Sequence, residues 1–73
     1  MCEVVKIEVQ GAYLFIYLLN LKNNKVSCNH TFDIINISES SKSVIKVLLK
    51  HWKSIPIQIS YEDLQFLKYF KLL

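Results

Sequence analysis

Two thiols and two imidazoles, at Cys2, Cys28, His30 and His51, are the side chains of this sequence best suited to hold zinc or begin covalent catalysis. A tetrahedral zinc site needs four such ligands. Cys28 and His30 would share one face of an extended strand, but no cysteine pair has the short spacing of a zinc motif, and Cys2 and His51 lie far off in sequence. A catalytic thiol needs a base within hydrogen-bond reach. Cys28 instead sits in an apolar alternation, a setting that raises a thiol's pKa where a nucleophile needs it lowered. Carboxylates for acid–base work are sparse, and Glu62-Asp63 is already explained as a helix start. One glycine excludes a phosphate-cradling loop. The expectation is a protein that is not an enzyme and has no cofactor or metal.

Two patterns have binding chemistry instead. Lys42, Lys46, Lys50 and Lys53 are spaced by four, four and three residues, which on a helix is one ridge of cations. Such a ridge could follow a phosphate backbone without reading sequence, since lysine lacks the bidentate fork that recognises guanine. It is also what the solvated side of an amphipathic helix looks like. Tyr13, Phe15 and Tyr17 alternate along a second run. A row of that kind can stack single-stranded bases, although the expected role is the layer on which a helix packs, with Trp52 as a core anchor.

Composition tempers both patterns. Arginine is absent, Gly and Pro occur once each, and Lys, Ile, Asn, Tyr and Phe abound. A genome of very low G+C content writes proteins this way, so the lysines are weak evidence of function and the formal net charge of +3 adds little. The same bias suits a virus or other mobile element. At 73 residues and 52% hydrophobic content, the chain is expected to be a single compact domain over 1–73. So much apolar material in so little volume makes self-association the natural expectation. Two cysteines are too few for a disulfide scaffold, and the apolar run from Ala12 to Leu19 is too short to span a bilayer. With no export signal, the expected location is cytoplasmic, with no membrane partner, and the acceptor patterns at Asn29 and Asn36 are coincidental.

The positioning elements follow from periodicity. Val5, Ile7 and Val9 alternate with polar residues as in a half-buried strand, and Gly11 ends the run. Ala12 to Leu21 reads as a strong second strand. Lys22-Asn23-Asn24-Lys25 is a turn signal, because asparagine tolerates positive φ. Val26 to Ile35 follows as a third strand, with Val26, Cys28, His30, Phe32 and Ile34 on one face. A two-residue turn at Asn23-Asn24 would set Leu19 opposite Cys28, Tyr17 opposite His30 and Phe15 opposite Phe32. The register of the first strand is left open, since a two-residue turn sends Ile7 and Val9 beside Leu14 and Ile16 while a three-residue loop sends them to the other face.

Ser38 or Ser40 caps a helix that runs to about Lys53, with Val44, Ile45, Leu48, Leu49 and Trp52 as its apolar stripe. Ser54 to Ser60 alternates at Ile55, Ile57 and Ile59, and Pro56 confines this strand to a sheet edge or bulge. Ser60 caps a last helix that buries Leu64, Leu67, Phe70 and Leu73. The order is β-β-β-α-β-α, an α+β fold with a small antiparallel sheet of three strands plus a short edge strand.

The sequence thus points to a small non-enzymatic protein-interaction module, self-associating through an apolar sheet face or an edge strand. Leu14, Ile16 and Leu18 form the candidate face, with Ile57 and Ile59 at the edge. The alternative is a non-specific nucleic-acid-binding protein that uses Lys42, Lys46, Lys50 and Lys53.

Overall fold

The computed structural model describes residues 2–73, and at 29 and 53–55 the backbone only. Its elements come in the order β1 (Cys2–Gln10), β2 (Tyr13–Asn20), β3 (Lys25–Asp33), α1 (Glu39–His51), β4 (Lys53–Gln58) and α2 (Tyr61–Tyr69). This is the expected α+β succession. The strands form one sheet in the order β3-β2-β1-β4.

The sheet is mixed, which corrects the antiparallel expectation. β2 runs antiparallel to both β1 and β3, whereas β4 lies parallel to β1. The reason is directional. β3 and β4 point the same way at opposite edges of the sheet, so the chain between them must travel back along its length, and α1 is that return. Pro56 is tolerated in β4 because β4 lies at an edge of the sheet, beside β1, among the described residues.

Local chemistry sets the turns and caps. Gly11, at φ +61°, opens a two-residue turn that places Gln10 opposite Tyr13, a conformation that costs glycine little. The β2–β3 connection is a four-residue loop instead of the two-residue turn expected. In it the Asn24 N–H donates to the Asn20 carbonyl at 2.8 Å, and Asn24 takes φ +59°. Side chains of Asn20 and Asn23 accept from the N–H groups of Lys22 and Lys25. Ser38 Oγ accepts from Ser41 N at 3.1 Å to cap α1, and Ser60 Oγ accepts from Asp63 N at 3.1 Å to cap α2. Asp63 also accepts from Val9 N at 3.3 Å, which ties the start of α2 to the end of β1.

Two bulges decide which side chains meet the helices. Between Val4 and Lys6 the β1–β2 register shifts, leaving Val5 as an extra residue. Ile7 opposite Ile16 and Val9 opposite Leu14 therefore share a face with Val4 opposite Leu18. Without the bulge, a strict alternation would have turned Val4 away. On β3 the shift lies between Cys28 and His30, so Asn29 is the extra residue. This overturns the single-face reading of β3. Val26 and Cys28 lie on one side, His30 and Phe32 on the other. The longer loop also moves the pairs, so that Leu19 faces Val26, Tyr17 faces Cys28 and Phe15 faces Thr31.

Both helices pack on the face that holds Leu14, Ile16 and Leu18. The core joins these three to Val4, Ile7 and Ile34 with Ile45 and Leu49 of α1 and with Leu67 and Leu72 at the end of α2. Val44 and Trp52, expected in the α1 stripe, remain substantially exposed, as does the terminal Leu73. The last turn of α2 closes in a Schellman arrangement: Leu72 N donates to Leu67 O at 2.9 Å and Lys71 N to Lys68 O at 3.0 Å. Lys71 occupies the left-handed position of this motif at φ +58°, where glycine is the usual residue. No described helix is long and apolar enough to cross a membrane.

Two stability measurements follow. Ile16→Ala should lower the unfolding free energy by about 2–5 kcal/mol in urea titration, because Ile16 is fully buried at the centre of the core. Lys71→Gly should raise it by about 1 kcal/mol, by relieving the left-handed lysine.

Candidate functional site

The face of the sheet away from the helices is covered by none of the described elements. Along β2 it presents Tyr13, Phe15, Tyr17 and Leu19, the residues between the buried Leu14, Ile16 and Leu18. Their cross-strand partners complete the surface. On β1 these are Gln10, Glu8, Lys6 and Glu3, and on β3 they are Asp33, Thr31, Cys28 and Val26. Phe15, Tyr17 and Leu19 are half-buried by these neighbours alone, and Tyr13 and Val26 are 50% and 57% exposed.

The aromatic row was expected beneath a helix, and the structure reverses that assignment. The physical reason lies in the hydroxyls. A buried tyrosine must find a hydrogen-bond partner for its O–H, whereas Leu14, Ile16 and Leu18 have no polar atom to satisfy and pack densely under the helices. Conversely, Leu14, Ile16 and Leu18 are not the open interaction face that their pattern suggested. They are 0%, 0% and 9% exposed and form the centre of the core. Ile57 and Ile59 are half-buried and pack against that core from the β4 side.

Charge on the open face is organised around Lys6. Its Nζ lies 5.2 Å from the centroid of the Tyr17 ring and 3.6 Å from a Glu8 carboxylate oxygen. The Gln10 amide donates to the other oxygen of Glu8. Glu3, Glu8 and Asp33 thus share the face with one ammonium group. Three carboxylates against one cation repel a phosphate backbone, so the aromatic row is poorly suited to stacking nucleic-acid bases.

The remaining sequence candidates are dispersed. Lys42 Nζ pairs with Glu39 at 3.3 Å, and Lys46 and Lys50 are exposed on α1. α1 ends at His51, so Lys53 belongs to β4, and its side chain lies outside the described residues. Three of the four lysines, Lys42, Lys46 and Lys50, therefore lie on the helix, and among the described residues Lys46 and Lys50 have no carboxylate within salt-bridge distance. The bulge at Asn29 turns His30 to the helix side, where its ring stacks on Phe32 at 6.1 Å, while Cys28 stays on the open side. Among the described residues, no three of His, Cys, Asp and Glu are placed to hold a metal ion. Trp52 is 42% exposed and lines an apolar pocket of about 300 Å³ with Cys2, Leu18 and Leu48. Sequence reasoning missed Val26 as a neighbour of Leu19 on the open face. Only the loop length could have signalled it.

No protein-family model, curated protein or solved structure matches the chain.

The two thiols report the bulged geometry directly. Cys28 is exposed on the open face and Cys2 is half-buried in the pocket beside Trp52. Under native conditions Ellman's reagent should modify one thiol per chain quickly and the second about tenfold more slowly. Cys28→Ser should remove the fast phase.

Proposed function

We propose that the chain is a small, non-enzymatic protein-interaction module whose open sheet face packs against the same face of a second copy. The observation that carries this reading is an apolar column, Phe15, Tyr17 and Leu19 with Val26 beside it, on the side of the sheet opposite both helices. A sheet with one face bare is an incomplete layer, and a second sheet is a stable way to complete it.

Surface area points the same way. A compact monomer of 8.6 kDa should expose about 4,700 Å². This chain exposes 5098 Å². The excess is a sizeable part of the roughly 800 Å² that one partner contributes to a stable interface.

The polar groups favour a copy of the same chain over a nucleic acid. Lys6 sits between Glu3 and Glu8 along β1, so a two-fold axis near Tyr17 brings each ammonium group towards the carboxylates of the other copy. Two-fold packing also suits the aromatic content, since Phe and Tyr are enriched at interface cores. Tyr13, at the end of the column, keeps its hydroxyl towards the wetter rim.

Light scattering across a range of protein concentrations should give twice the chain mass at low and at high salt. Phe15→Lys with Tyr17→Glu should return the mass to that of one chain while far-ultraviolet circular dichroism stays native, because neither side chain belongs to the helix-covered core. A single-chain mass for the wild type at several hundred micromolar would remove the proposal. So would a doubly substituted protein that still doubles its mass.

A further inference from the structure

A second surface, on the helix side, has a different character. α1 and the segment after α2 enclose a groove of about 510 Å³ lined by Lys46, Leu49, Lys50, Lys71, Leu72 and Leu73. That volume is in the range of small-molecule sites. Three lysines line the groove around an apolar floor. Leu49 and Leu72 are 5% and 1% exposed, so the floor is fixed by the core itself. None of the three lysines has a carboxylate within salt-bridge distance among the described residues, in contrast to Lys6 and Lys42.

The groove shares two of its walls with a second cavity. Leu49 and Leu73 also line an adjoining, more enclosed cavity of about 60 Å³ whose other walls are Ile7, Ile57, Ile59 and Leu64. All six of those residues are aliphatic. Lysines line one of the two neighbouring cavities and aliphatic side chains alone the other among the described residues, which is the polarity of an amphiphile.

We infer that this groove binds a fatty-acid-like anion, with its carboxylate among Lys46, Lys50 and Lys71 and its alkyl chain over Leu49, Leu72 and Leu73 towards Ile57 and Ile59. Three features separate this ligand from a nucleic acid. Among the described residues no aromatic side chain lines the groove, so bases have nothing to stack on. The floor is apolar, and a phosphodiester backbone has no alkyl portion to cover it. The lysines converge on one mouth from two segments instead of tracking a line of phosphates. Lysine suits the headgroup, as a point charge that needs no bidentate geometry. Lys71 adds a structural indication. It holds a left-handed position that glycine would fill with less strain, and it is the lysine this segment contributes to the groove lining.

The test uses dodecanoate below its micellar concentration, titrated into the full chain and followed by calorimetry and by amide shifts. Saturable binding of one dodecanoate per chain is expected, with shifts at Leu49, Leu72 and Ile57. Lys46→Glu with Lys71→Gly should weaken it at least tenfold. The second substitution relieves backbone strain, so the variant should remain folded, and its circular dichroism checks this. Dodecanol and inorganic phosphate should each bind at least tenfold more weakly than dodecanoate. Absence of saturable binding would overturn the inference, as would dodecanoate affinity unchanged in the folded variant. Equal affinity for phosphate alone would reduce the groove to an anion site. Displacement of dodecanoate by oligothymidylate at matching affinity would overturn the proposal in favour of phosphate-backbone binding.

Discussion

β2 is apolar on both of its faces, and the chain has helices enough to cover one. Leu14, Ile16 and Leu18 alternate with Phe15, Tyr17 and Leu19, so whichever column the helices take, the other is left towards solvent. The helices take the aliphatic one. Ile45 and Leu49 on one side and Leu67 and Leu72 on the other close over it, and Val4 and Ile7 extend it onto β1. Burying each of these side chains contributes about 1.5–3 kcal/mol, and in a chain this short few other sources of stability exist. The rest of the architecture serves that column. The caps at Ser38 and Ser60 start the helices that cover it, and the Asp63 bond to Val9 N holds α2 against the strand. The Schellman turn ends with Leu72 buried in the core.

Much of the fold was legible because its signals are local. Serine caps followed by acidic residues mark both helix starts, Gly11 and Asn24 mark the turns, and the proline in β4 marks an edge. Each depends on the conformational preference of one or two residues, so it survives whatever the rest of the chain does. Element order followed from those signals together with hydrophobic period.

Face assignment was not legible, and the cause is parity. One inserted residue exchanges the two sides of every position beyond it. The extra residues, Val5 and Asn29, are not glycine or proline, and each sits inside an otherwise regular alternation. Nothing local announces them. The bulge at Val5 brings Val4 into the core, and the bulge at Asn29 separates Cys28 from His30. The lysine groove was illegible for a related reason. Lys46 and Lys71 are far apart in sequence, and only the turn after α2 brings them together. Helical spacing connected Lys46 and Lys50 to Lys53 instead, a residue that the end of α1 sends into β4.

The parallel pairing of β1 with β4 has a consequence in time. β1 and β2 are adjacent in sequence and can zip as a hairpin within microseconds, and β3 can join them by another short loop. The far edge of β1 must wait for a strand some fifty residues downstream, since the Val4 N–H donates to the Trp52 carbonyl. During synthesis on a ribosome the meander can therefore exist with that edge open and its aliphatic column uncovered, until α1, β4 and α2 have emerged. Docking of α1, β4 and α2 closes the edge and the core together. The chain is thus at its most adhesive while α1, β4 and α2 have yet to fold onto the meander.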